Sequence, residues 1–204
     1  MFKKLGLIIG AALLLSACGA KKPASQTTKQ TRQLINALPI SARPFLVVFP
    51  HSTSKLLTIY LDRVDTKYKQ SSIDLEYLSG NSLKGGRTTI DFPKSLPYAQ
   101  AFLLGSCSSG GKCSFDTDLI SGTIKNKLDD GSDVMNVLKS DFVFVVKGEV
   151  TTTDGRVTYT PSSAKQKDQI LLDTQGLPKA IEGELAYAPI AISAVGDAKI
   201  TGKL

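Results

Sequence analysis

The pattern that most constrains this chain is a period of two. Ile73-Asp74-Leu75-Glu76-Tyr77 alternates apolar and acidic residues, as a strand does when one face meets a core and the other meets water. Arg87 to Phe92 repeats the alternation with Ile90 and Phe92 on one side, and Leu56 to Leu61 is rich in β-formers before Asp62. Tyr98 to Leu104 and Phe142-Val143-Phe144-Val145-Val146 are more continuous apolar runs. The second of these predicts a buried strand extending to Val150.

Turn chemistry separates the runs. Gly80-Asn81, Gly85-Gly86, Pro93, Pro97 and Gly196-Asp197 punctuate the chain, and Asp154-Gly155 predicts a hairpin before Arg156-Val157-Thr158-Tyr159. Ile120 to Ile124, Ile170 to Leu172, Gly183 to Ile192 and Ala198 to Leu204 supply further strand candidates, whereas Val134 to Leu138 reads as one helical turn. No long segment sustains a 3.6-residue period. Roughly eight to eleven short strands with turns between them predict an all-β fold, an antiparallel β-sandwich of immunoglobulin-like or jelly-roll-like type. The expected domain runs from residue 45 to 204, as one sandwich or as two small subdomains with a seam at the acidic loop near 129–140.

The N-terminus carries different information. Lys3 and Lys4 precede the apolar run Leu5 to Leu15, and Ser16-Ala17-Cys18 follows with no acidic residue before it. That order is a positive n-region, an apolar h-region and a small-residue cleavage site. A run of about 11 residues is too short for a bilayer core, which needs about 20. Leu15-Ser16-Ala17-Cys18 resembles the lipobox of bacterial lipoproteins. The resemblance implies cleavage of residues 1–17, lipidation of Cys18, and a lipid-anchored, extracytoplasmic chain on the cell membrane or outer membrane; Gly19 is not the aspartate associated with inner-membrane retention in many diderm bacteria. Residues 18–44 are polar around Lys21, Lys22 and Pro23 and are expected as a flexible stalk, with Gln30 to Leu38 able to form a turn or two of helix.

Further in, Ser72 to Leu83 and Phe102 to Asp116 resemble uncharacterised β-rich surface lipoproteins of bacteria with reduced genomes, a likeness that brings no activity with it. The strand at Ile73 to Tyr77 also resembles strands of cohesin-like binding modules, over too short a stretch to transfer any residue.

Removal of the signal lowers the formal charge from +7 to +5. That mild basicity lacks the clustered stripe of a nucleic-acid binder. With Cys18 acylated, Cys107 and Cys113 remain as a C-x5-C pair around Ser108-Ser109-Gly110-Gly111-Lys112. In an exported chain this spacing predicts a disulfide closing a hairpin or loop, since zinc needs more strong ligands and redox pairs use C-x-x-C.

Candidate chemistry is sparse. His51 is the one imidazole, in the turn Phe49-Pro50-His51-Ser52-Thr53, and no serine lies in a Gly-x-Ser-x-Gly elbow. Asp74 and Glu76 share a strand face and are the carboxylates a glycosidase would need, although a half-exposed strand needs the same acids for solubility. Asp129, Asp130 and Asp133 around Gly131 have the charge density of a cation loop without the spacing of a calcium-binding one. Gly80, Gly85 and Gly86 lack the lysine and helix of a phosphate loop. The six tyrosines are scattered and there is no tryptophan, which lowers a sugar-binding reading.

The residues thus predict no catalytic set and no cofactor. The expected partners are the bilayer, reached through acylated Cys18, and an envelope polymer or protein; nucleic acid is not expected. A binding, adhesion or envelope-assembly module is the first reading. A hydrolase of envelope polysaccharide or peptide using loop carboxylates is the second, and a scaffold offering a free sheet edge is the third.

Overall fold

In the computed structural model, the described residues are 31–51, 55–92, 96–145, 148–162, 169–183, 185, 187–195 and 200–203. Thr31–Leu204 forms one compact unit. In chain order its strands are β1 (Arg32–Ile35), β2 (Phe45–Pro50), β3 (Leu56–Asp62), β4 (Gln70–Ser79), β5 (Ser82–Asp91), β6 (Tyr98–Leu103), β7 (Gly105–Cys107) and β8 (Cys113–Phe115). Then come β9 (Leu119–Asp129), β10 (Val134–Val145), β11 (Val150–Thr151), β12 (Thr158–Pro161), β13 (Gln169–Asp173), β14 (Ile190–Ser193) and β15 (Gly202–Lys203). A single short 3-10 turn at Ile40–Ala42 is the helical element among the described residues. No described helix is long and apolar enough to cross a membrane.

The fold is all-β and sandwich-like. One sheet has the order β14-β13-β10-β9-β4-β5, with β1 added beside β10, and the facing sheet has the order β2-β3-β6. All pairings are antiparallel except β1 with β10. Period-two alternation puts Ile73, Leu75 and Tyr77 of β4, Ile124 of β9 and Phe142 and Phe144 of β10 on the inner face. They meet Leu46, Val48, Leu57, Ile59 and Leu61 of the small sheet, all fully buried. Each such side chain contributes about 1.5–3 kcal/mol by leaving water. Gly122 is required where Phe142 crosses β9, because a Cβ there would overlap the Phe142 ring and the Glu76 carbonyl. A smaller core lies at the β13 end, where Val145, Tyr159 and Leu171 pack with Val150, Ile190 and Ile192.

The structure corrects three expectations. First, residues 31–44 are not stalk, and Gln30 to Leu38 contains no described helix: Arg32–Ile35 runs as a parallel strand beside Val134–Val137. Asn36 extends that contact, donating from its amide to the Lys139 carbonyl (3.2 Å) and accepting from the Lys139 N–H (2.8 Å). Leu38 then packs on Tyr68, Leu128 and Leu138. Second, Val134–Leu138 is the first part of a 12-residue strand rather than a helical turn. Its backbone groups are taken by β9 on one side and β1 on the other, so pairing outweighs the weak local helical preference. Third, the acidic loop is a hairpin connection within one sheet and not a seam, since β9 and β10 stay paired from Leu128↔Asn136 to Ser121↔Val143.

Candidate functional site

The outer face of the large sheet carries a ladder of opposite charges. Asp74 lies opposite Arg87 of β5 in register and accepts from its Nε, while Lys127 of β9 donates to the other carboxylate oxygen at 2.7 Å. Glu76, one repeat along β4, accepts both contacts of Lys125 Nζ at 2.9 and 3.1 Å. Burial pushes the Asp74 carboxyl up, but hydrogen bonds from Arg87 and Lys127 outweigh it and hold the group below the usual carboxylate range. Asp74 and Glu76 therefore do share a face, and that face matches each of them with cations.

A second knot closes one end of the sandwich. Asp116, between β8 and β9, accepts from Lys84 Nζ and from Tyr77 Oη, the latter at 2.6 Å. The Lys84 hydrogen bond, then that of Tyr77, holds the Asp116 carboxyl low. Burial and the same carboxylate push the Tyr77 phenol up. On the same sheet, Asp173 at the end of β13 has one carboxylate oxygen buried with no partner among the described residues. Burial raises its carboxyl, and the carboxylates of Asp154 and Asp141 add to the rise against an opposing Arg156.

The Cys107–Cys113 disulfide is present, joining paired positions of the β7–β8 hairpin. Ser108 N–H donates to the Lys112 carbonyl (2.9 Å) within the loop it closes. Asp129, Asp130 and Asp133 do not converge. Asp129 accepts from Gly131 N–H at 2.7 Å and Asp130 from Ser132 N–H at 2.9 Å, each closing its own local turn. No group of three His, Cys, Asp or Glu among the described residues is arranged to hold a metal ion. His51 is exposed after β2, with its backbone N–H on the Leu56 carbonyl at 3.0 Å. Tyr68, Tyr77 and Tyr159 are core residues, while Tyr187 is exposed. Cys18 lies outside the described residues.

A groove of about 740 Å³ runs between the 3-10 turn and a wall that includes Leu177, Ile181 and Leu185. The two arginines in its lining are engaged by backbone: Arg43 donates to the Leu38 and Asn36 carbonyls (2.7 and 2.8 Å) and Arg63 to the Leu177 carbonyl (2.6 Å). Arg63 thereby ties two walls of the groove together, while Arg43 holds the segment that leads into the 3-10 turn.

The free sheet edge expected in the third reading, with no strand assigned to it from the sequence, has candidates in β5 and β6. Among the described residues β5 and β6 each have one hydrogen-bonded neighbour, β4 and β3 respectively. The two edges lie on the same side of the sandwich, for Phe102 of β6 packs against Gly86 of β5 and Tyr98 Oη meets Thr88 Oγ1 at 3.1 Å. Along β6, Ala99, Gln100 and Ala101 are exposed. The outer face beside them holds Leu103, Leu56, Thr58 and Tyr60, with Phe49 stacked edge-on to Tyr60 at 6.3 Å. Phe49 is 39% exposed. A run reading Tyr-Ala-Gln-Ala-Phe-Leu could have flagged this edge by its lack of charge, but which strand is outermost is a property of the sheet order.

No protein-family model matches the chain, and comparison with curated proteins and with solved structures returns no match.

Proposed function

We propose that the chain is an envelope lipoprotein, cleaved before Cys18 and lipid-anchored through it on the extracytoplasmic side of the cell membrane or outer membrane. Its β domain acts there as a non-catalytic binding, adhesion or assembly module. The address rests on the charged n-region, the short apolar run and the lipobox-like Leu15-Ser16-Ala17-Cys18. Several acyl chains together give stable attachment where one chain alone is marginal.

The binding role rests on one observation above all, the uncharged edge of β6 beside an apolar outer face. An exposed strand edge offers backbone donors and acceptors to an added strand, and the adjacent side chains supply selectivity. The carboxylates a hydrolase would use weigh in the same direction, because Asp74 and Glu76 are each held by cations within the fold and Asp129 and Asp130 each close a local turn.

The test is labelling of the full chain with palmitate in a bacterial host, followed by mass spectrometry of the membrane fraction. The expected product begins at a multiply acylated Cys18, and Cys18→Ser abolishes both label and membrane retention. An unprocessed chain starting at Met1 and free of lipid would refute the address.

A further inference from the structure

We propose that β6 pairs with β6 of a second copy of this chain, antiparallel, about a two-fold axis at Ala101. The inference rests on the β6 edge to which the binding role is assigned and names its occupant; it does not depend on the lipid anchor.

In a strand, the N–H and C=O of one residue point to the same side of the ladder, and successive residues alternate sides. Leu104 N–H donates to the Lys55 carbonyl at 2.8 Å, so the even-numbered residues of β6 face β3. Ala99, Ala101 and Leu103 consequently present their backbone groups to the open edge. A side-chain contact agrees with this assignment, since Gln100 Nε2 curls round to donate to the Ala101 carbonyl at 2.9 Å.

Those three residues are evenly spaced about Ala101, which makes the edge self-complementary. With the axis at Ala101, Ala101 faces its own copy and Ala99 faces Leu103 of the second copy, so each outward donor meets an outward acceptor once the Gln100 amide, which occupies the Ala101 carbonyl in the single chain, swings away. On the outer face the small Ala99 side chain then lies beside the larger Leu103, and two alanines meet on the axis. An interface between identical surfaces must be isologous in this way to close as a dimer.

Charge selects the same strand and the same occupant. Proteins guard sheet edges with lysine, arginine, proline or a bulge, and Tyr98 to Leu103 has none of the charged or proline guards. β6 itself therefore brings no charge of its own to the axis. The neighbouring edge of β5 contrasts with it. Phe92 N–H donates to the Lys69 carbonyl at 2.7 Å, so the odd-numbered residues of β5 face outward, from Leu83 to Asp91, with Arg87 at their centre. Full pairing of β5 with its copy would set Arg87 against Arg87. One edge is guarded against self-association and the other is built for it.

The experiment is light-scattering chromatography of the full chain purified from whole-cell extract in mild detergent, across a hundredfold range of concentration, with hydrogen exchange read at β6. The expected wild type has twice the protein mass of one chain and slow exchange at Ala99, Ala101 and Leu103. Ala101→Lys places like charges on the axis at an exposed position and is expected to weaken dimerisation at least tenfold, with fast exchange at those amides. Circular dichroism unchanged from wild type would show that the variant folds, and Ala99→Lys serves as a second variant. A wild type that stays monomeric throughout overturns the proposal, as does a dimer indifferent to both lysines. A monomer with protected β6 amides shows that the edge is covered within the chain and also overturns self-pairing.

Discussion

Replacing Asp74 with Asn tests whether the outer charge ladder is structural. The Asp74 side chain is 12% exposed, whereas Lys127 is 26% and Arg87 64% exposed. A hydrogen bond to a charged group is worth about 1.5–3 kcal/mol, and the shielded Lys127 contact takes the low end of that range. The Arg87 contact, open to solvent, is worth about 0.5 kcal/mol as a surface pair. Asp74→Asn keeps the shape and removes the charge, so the expected loss is about 2 kcal/mol at pH 7, a fall of about 4–8 °C in Tm for a domain of this size. The pH dependence gives a second check. The folded carboxyl titrates below its unfolded value because hydrogen bonds from Arg87 and Lys127 outweigh the effect of burial. Its contribution is therefore complete above the unfolded value near pH 4 and is lost as pH falls through the folded value. Urea unfolding of wild type and variant at pH 7 and pH 3 should show a gap that narrows in acid. Equal stability at pH 7, or a gap that does not narrow, would refute the structural reading of this pair.

Asp173 should behave in the opposite sense. Its folded carboxyl lies above the unfolded value, chiefly through burial, so stability falls as pH rises through that window, and Asp173→Asn should gain about 1 kcal/mol at neutral pH by removing a poorly partnered charge. The gain should vanish below about pH 4, and thermal melts at the two pH values that showed no such difference would contradict it. Removing the disulfide with Cys107→Ser and Cys113→Ser should release about 2 kcal/mol of loop constraint. Because the β7–β8 hairpin is largely exposed, the loss should appear as faster hydrogen exchange at Ser108 and Gly111, and unchanged exchange there would refute it.

Several elements were legible from the order of residues because their causes are local. Alternation placed β4, since side chains of a strand take opposite faces at each step, and the apolar run from Phe142 placed the C-terminal part of β10, which ends at Val145 and does not extend to Val150. Gly80-Asn81 predicted the turn between β4 and β5, and Gly80 takes φ +54 there. The C-x5-C spacing predicted the cystine for the same reason, as a short loop brings its own ends together. Asp74 and Glu76 were legible as strand-face acids, though not as ion-paired ones.

What the sequence by itself determined is the class of fold, the position of most strands and the cystine. The tertiary structure alone decided the rest. Arg32–Ile35 has no local reason to be a strand and becomes one because β10, about a hundred residues later, offers it a free flank. The same pairing overrides the helical turn expected at Val134 to Leu138. Which cations meet Asp74 depends on β5 and β9 flanking β4, and which strands are left at an edge depends on the order of the whole sheet. Local pattern sets what each segment can do with its own two faces; the assignment of its two flanks is made by residues far away in the chain.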